Sequence, residues 1–210
     1  MRADAKAFKK LFPQQHIPSI LTSLFQAGET LRKRAENDRE DWITRRLYRR
    51  LVIIPTFRDG PLGIHLKPEI ISTELDLDTH TGEIDLFVSC ALGYEVYFPI
   101  EAKRLRFLSS EGKVIPGSAA YVSDGMMRFI TGQYSPYMQA AAMLGYVFDV
   151  KIDVARSDID KAVRKKAMEL KLKFPEQLSR SSILPDNPVD ETHHDLEERP
   201  FIIYHVFLHI

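Results

Sequence analysis

Two stretches of this chain hold residues whose types and spacing suit metal-assisted chemistry. The first is Tyr97-Phe98-Pro99-Ile100-Glu101-Ala102-Lys103. In an extended backbone successive side chains alternate faces, so Glu101 and Lys103 point one way while Ile100 and Ala102 point into the opposite layer. Two opposite charges closing an otherwise apolar strand need a reason, because a buried charge is costly without a partner or a metal. The second stretch places Glu83, Asp85 and Phe87 on one face and Ile84, Leu86 and Val88 on the other. If a hairpin pairs the two, Asp85 lies near Glu101 at one edge of a sheet.

A cluster of this kind suits phosphodiester cleavage. Two carboxylates can hold Mg2+, a hard cation that takes oxygen ligands and keeps several waters, with Mn2+ as a substitute. The ion lowers the pKa of a water and offsets charge growing on the phosphate. A lysine beside it orients the attacking water or acts as a fixed donor to the transition state. The bare pattern acid-x-Lys carries almost no information, since it recurs at Asp4-Ala5-Lys6, Glu111-Gly112-Lys113, Asp149-Val150-Lys151 and Glu169-Leu170-Lys171. Only the Glu101 copy ends an apolar strand and follows a second strand with an acid on its inner face. The competing reading is a surface ion pair, which contributes little.

Thr81-Gly82-Glu83-Ile84-Asp85-Leu86, then Phe98-Pro99-Ile100-Glu101-Ala102-Lys103-Arg104-Leu105, resembles the core motif of the PD-(D/E)xK, or restriction-endonuclease-like, nuclease superfamily. The resemblance implies that Asp85 and Glu101 are metal ligands, that the Ala102 carbonyl is a further ligand and that Lys103 is the catalytic lysine. Glu40 would match the acid that many members carry on the first core helix, with Glu36, Asp41 and Glu74 as competitors. Ile84 stands where the family name has proline. The segment Tyr121 to Phe129, followed by Gln133 and Tyr134, stands where many members place a helix with polar residues near the metal. Arg128 is thus a candidate for binding phosphate, Gln133 or Tyr134 for orienting substrate, and Arg104 for a further nucleic-acid contact. The activity implied is a magnesium-dependent DNA endonuclease of restriction, repair, recombination or defence against mobile elements. A catalytically silent nucleic-acid-binding or assembly subunit is the alternative. A ribonuclease ranks third, because no aromatic RNA-binding motif of the usual type is present. A homodimer would bring two sites to two strands, and so short a chain leaves little room for a reading domain, which makes a separate targeting partner a further expectation.

The elements that must position these residues are α/β: a central mixed β-sheet flanked by helices, with a restriction-endonuclease-like core. The expected organisation is one domain over 1–210, with N-terminal helices over 1–51 and the catalytic sheet with its flanking helices over 52–210. Pro18 suits the first turn of a helix carrying Ile20, Leu21, Leu24 and Phe25, ended or bent near Gly28. A second helix is expected over Leu31 to Leu51, with Glu40 one turn before Ile43 on the face of Leu47 and Leu51. Strands are expected near Ile64 to Leu75, Ile84 to Ala91 and Tyr94 to Ala102, broken by Thr81-Gly82 and Leu92-Gly93, the last two forming a hairpin. Ser109 to Ser118 reads as a loop and Tyr121 to Tyr146 as helical, interrupted near Gly132 and restarting at Ser135-Pro136. Asp158 to Phe174 reads as an amphipathic helix with the stripe Ile159, Val163, Ala167, Leu170 and Phe174. Pro185 to Arg199 reads as an exposed acidic loop containing His193-His194, and Phe201 to Ile210 as a strand whose His205 and His209 stand too far apart to chelate one ion.

Charge does not choose a partner: 29 basic and 29 acidic side chains cancel, unlike the strongly basic balance common in nucleic-acid binders. With 44% apolar and 28% charged residues the balance is that of a soluble globular chain. Cys90 is the sole cysteine, which excludes a disulfide framework or a cysteine zinc site and suits a reducing, cytoplasmic compartment. Met1 to Lys10 mixes charges without an apolar core, so no signal peptide is expected, and no apolar run approaches a membrane span. The arginines between Arg45 and Arg50 read as a solvated helix face, with contact to a nucleic-acid backbone as the minority reading.

Overall fold

The computed structural model describes residues 11–71, 80–90, 96–134, 138–196 and 199–210. In chain order the elements are helices α1 (Ile17–Glu29), α2 (Glu40–Leu51) and α3 (Pro55–Arg58), then strands β1 (Leu62–Leu66), β2 (Glu69–Ile71), β3 (His80–Glu83), β4 (Leu86–Cys90), β5 (Tyr97–Leu105), β6 (Phe107–Leu108) and β7 (Val114–Ile115). A helical stretch follows, made of α4 (Ser118–Ala120), a π-helical segment (Tyr121–Met126) and α5 (Met127–Ile130). After it come β8 (Ala140–Val147), α6 (Ile152–Lys165), β9 (Ser179–Arg180), β10 (Val189–Leu196) and β11 (Arg199–His209).

Seven strands form one mixed sheet in the order β1-β4-β5-β8-β11-β10-β9. The central β5, β8 and β11 run parallel, and antiparallel strands extend the sheet on both sides. Each face buries its own core. On one, α1, α2 and Phe57 of α3 pack on Leu86, Val88, Phe98, Ile100, Ala142, Leu144, Val206 and Leu208. On the other, the π-helical segment, α5 and α6 pack on Tyr97, Leu105, Ala141, Met143, Ile203 and Phe207. This is the expected α/β architecture, a mixed sheet between layers of helix. Among the described residues no helix is long and apolar enough to cross a membrane.

Several local expectations are corrected. The second helix begins at Glu40, not Leu31. Before it, the buried Asp38 carboxylate accepts from the Arg34 amide and the Arg46 guanidinium, a tertiary tie that favours a turn there over helix. Thr81-Gly82 lies within β3 rather than at a turn. The Ser109 to Ser118 loop contains β7, which pairs with β6. Ala140 to Val147 is a central strand rather than helix, because both its faces are buried and its alanines and glycine leave a continuous apolar run without alternation. Helix α6 ends at Lys165, and Phe174, expected in its apolar stripe, is 94% exposed. Val189–Leu196 is a strand with a largely buried interior, not an exposed loop. Its polar residues are satisfied inside the fold: Asp190 binds Arg156, and Thr192 bridges His194 and His205. Leu92-Gly93, Ser135-Pro136, Glu74 and the N-terminal ten residues lie outside the described residues.

Candidate active site

Strand β4 pairs with β5 only from Leu86, opposite Ile100, to Ser89, opposite Tyr97. Strand β5 continues to Leu105 along β8, so from Glu101 onward its other edge has no strand beside it among the described residues. A bare strand edge presents amide and carbonyl groups that must be satisfied. Two carboxylates do this. The Ala102 amide donates to Asp85 Oδ2 at 2.9 Å, and the Arg104 amide donates to Glu40 Oε2 at 2.9 Å. Asp85 comes from the residues just before β4, and Glu40 is the first residue of α2.

Glu101 and Lys103 lie on the face of β5 that also carries Tyr97 and Leu105. Through the open edge the Lys103 ammonium reaches oxygens from three residues: Glu101 Oε1 at 2.7 Å, the Ala102 carbonyl at 2.8 Å and Glu40 Oε1 at 3.4 Å. Glu101 is 1% exposed, so this is no surface ion pair. Its Oε1 also accepts from Arg128 at 2.9 Å, whereas its buried Oε2 has no hydrogen-bond partner among the described residues. A buried, unpartnered carboxylate oxygen is costly unless something else is meant to bind it.

The charges respond to one another. Burial, reinforced by the Asp85 carboxylate, pushes Glu101 up to about 7. Burial likewise raises Asp85 and Glu40, partly countered by Lys103. Burial alone would lower Lys103, but Glu101, Glu40 and Asp85 together outweigh it and raise the ammonium. Three carboxylates thus act on one lysine, with Arg128 against Glu101 and Lys67 near Asp85, and their hard oxygen donors are of the kind a divalent cation takes. Asp85, Glu101 and the Ala102 carbonyl are the groups able to hold it. Among the described residues no three His, Cys, Asp or Glu side chains stand together as a metal-holding group, those of this site included, so the candidate set is two carboxylates and a carbonyl.

No family model, curated protein or solved structure matches this chain. The site therefore rests on its own geometry.

That geometry brings together all four expected central residues, Glu40, Asp85, Glu101 and Lys103. It also separates Glu40 from Glu36 and Asp41. Glu36 pairs with Lys33 at the surface, and Asp41 pairs with Lys67 next to the site. Arg128 sits against Glu101 and donates to the Tyr134 hydroxyl, which in turn donates to the Glu83 carbonyl. Tyr134 is fully buried and ties Arg128 to β3. Gln133 packs over Gly82, where a Cβ would stand 2.6 Å from its Nε2. Arg104 turns the other way: its guanidinium stacks on Phe107 and donates to the Asp38 carbonyl, away from the carboxylates.

Lys67 was not anticipated. Its ammonium contacts Asp41 at 2.9 Å, Glu83 at 2.6 Å and Asp85 at 3.7 Å, and its amide donates to the Asp85 carbonyl. No spacing in the sequence signals this, because Lys67 meets Asp85 only through the folding of β1 onto β4. Gly125 was also missed. A Cβ there would stand 2.4 Å from Met143 Cε and 3.7 Å from Lys103 Cγ, so glycine lets the π-helical segment close over the lysine stem. Such segments recur at functional sites.

Proposed function

We propose that this chain is a divalent-metal-dependent phosphodiesterase with a restriction-endonuclease-like core, hydrolysing DNA. The observation that carries the reading is the open edge of β5, where Lys103 contacts Glu101 Oε1 and the Ala102 carbonyl, Asp85 takes the Ala102 amide, and Glu101 Oε2 is buried without a partner among the described residues. A divalent cation bound there supplies Lewis-acid chemistry, lowering the pKa of water and offsetting charge at the phosphate. Asp85 and Glu101 hold and orient. Lys103, kept protonated by its carboxylate neighbours, donates to a phosphate oxygen or fixes the attacking water. Arg128, about one-third exposed beside Glu101, contributes a fork of donors for a non-bridging oxygen.

The test is cleavage of duplex DNA, single-stranded DNA and RNA by the purified chain with Mg2+ or Mn2+. Wild type cuts DNA, and Lys103→Ala and Asp85→Ala lose at least ~100-fold. Equal rates in wild type and both variants would identify a contaminant and reject the proposal. One observation favours a second reading, a silent nucleic-acid-binding subunit: Asp85 and Glu40 already serve strand-edge amides, a task that persists without catalysis. Binding without cleavage of any substrate, unaffected by Mg2+ or Glu101→Gln, would select it.

A further inference from the structure

Helix α2 carries more than Glu40. Its buried stripe is Ile43, Leu47 and Leu51. At about 100° per residue, Trp42, Arg45 and Arg49 fall within roughly 60° of one another on the opposite side. All three are exposed. The other two arginines of the helix are occupied: Arg46 binds the buried Asp38, and Arg50 binds Thr30 and the Arg46 carbonyl. Arg45 and Arg49 have no hydrogen-bond or ion-pair partner among the described residues. Arg39, just before the helix, lies over the Trp42 ring at 5.4 Å.

The helix dipole does not account for the whole of this face. A basic residue in the last turn complements the helix dipole, which covers Arg49 but not Arg45 in mid-helix. Trp42 is 49% exposed although it is the chain's only tryptophan and the largest apolar side chain available for a core. Cations flanking a half-exposed indole are the combination that binds a nucleic-acid strand, with phosphates on the arginines and a base stacked on the ring. From Trp42 to Arg49 the helix rises about 10 Å, close to three steps of a strand at 3.4 Å each.

We propose that the outward stripe of α2, formed by Trp42, Arg45 and Arg49 with Arg39, binds a nucleic-acid strand and stacks an unpaired base on Trp42. The choice of partner rests on the phosphodiesterase reading. The stripe faces away from Glu40, so it holds a segment remote from the scissile bond and needs no metal. An acidic protein surface would meet the arginines equally well but would leave the indole without a stacking partner.

Trp42, as sole tryptophan, reports directly. Its fluorescence is titrated with a 20-nucleotide single-stranded DNA in EDTA at several salt concentrations, alongside polyglutamate. The DNA should quench Trp42 and polyglutamate should not. The variant Arg45→Gln/Arg49→Gln, with an unchanged circular-dichroism melt, should bind at least ~10-fold more weakly and lose about 1.4 from the slope of log K against log salt. Equal affinity in wild type and variant, or equal quenching by polyglutamate, overturns the proposal. Cleavage with Mg2+ is read separately. Cleavage without Trp42 quenching rejects the stripe alone, whereas stripe-dependent binding without cleavage supports the stripe and rejects the phosphodiesterase.

Discussion

Replacing Glu101 by Gln should leave stability nearly unchanged at low pH and raise it at high pH. The carboxyl is 1% exposed and is pushed up to about 7 from an ordinary value of 4.5. An acid whose folded pKa is raised contributes stability that is full below the unfolded value and is lost as pH rises through the folded one. The gap, at 1.36 kcal/mol per unit, corresponds to roughly 3 kcal/mol lost by wild type between about pH 5 and pH 8.5. Gln stays neutral. Its oxygen can still accept from Lys103 and Arg128, and its amide nitrogen takes the place of Oε2, where the protonated carboxyl of wild type likewise leaves an unpartnered O–H. Glu101→Gln should therefore match wild type at pH 5 and be the more stable protein at pH 8.5 without metal. At about 2–4 °C per kcal/mol for a chain of this size, the difference between the two proteins should swing by roughly 6–12 °C. A divalent cation at 100 times its dissociation constant should then raise wild type at pH 8.5 by about 2.7 kcal/mol and leave the variant unmoved. Thermal melts followed by circular dichroism at both pH values, with and without MgCl2 at about 100 times its dissociation constant, read all of this. A constant offset between the proteins across pH would refute the reasoning.

Asp85→Asn retains an oxygen for the Ala102 amide, so the fold should survive while Mn2+ affinity, measured by calorimetry at pH 8, falls at least ~10-fold. Unchanged affinity would remove Asp85 from the metal set. Glu40→Gln likewise keeps an acceptor for the Arg104 amide, whereas Glu40→Ala strands it. Urea unfolding should find the alanine variant about 1–3 kcal/mol below the glutamine variant, and equal stability would show that water satisfies that amide. Phe174→Ser, at a position 94% exposed, should alter stability by less than about 0.5 kcal/mol, while Leu170→Ala, fully buried, should cost about 2–5 kcal/mol. A large loss from the Phe174 change would restore it to the core.

The local chemistry of the strands was legible from residue order alone. Alternation along Phe98 to Lys103 puts Glu101 and Lys103 on one face whatever the rest of the fold does, since an extended backbone permits nothing else. The stripe Ile43, Leu47 and Leu51 similarly turns Glu40 inward once the segment is helical. Where residues are buried on both faces, that periodicity vanishes. Ala140 to Val147 reads as readily as helix as strand, and only its place between β5 and β11 decides. Polar residues mislead in the complementary way. Asp190, Thr192 and His194 look like a loop until Arg156 and His205, supplied by other elements, satisfy them inside the fold. The open edge of β5 belongs wholly to tertiary structure: β4 begins only at Leu86, and the amides it leaves unpaired gather Asp85 from one direction and Glu40 from another. Lys67 joins them for the same reason, because its distance from Asp85 is fixed by the pairing of β1 with β4, not by any interval along the chain.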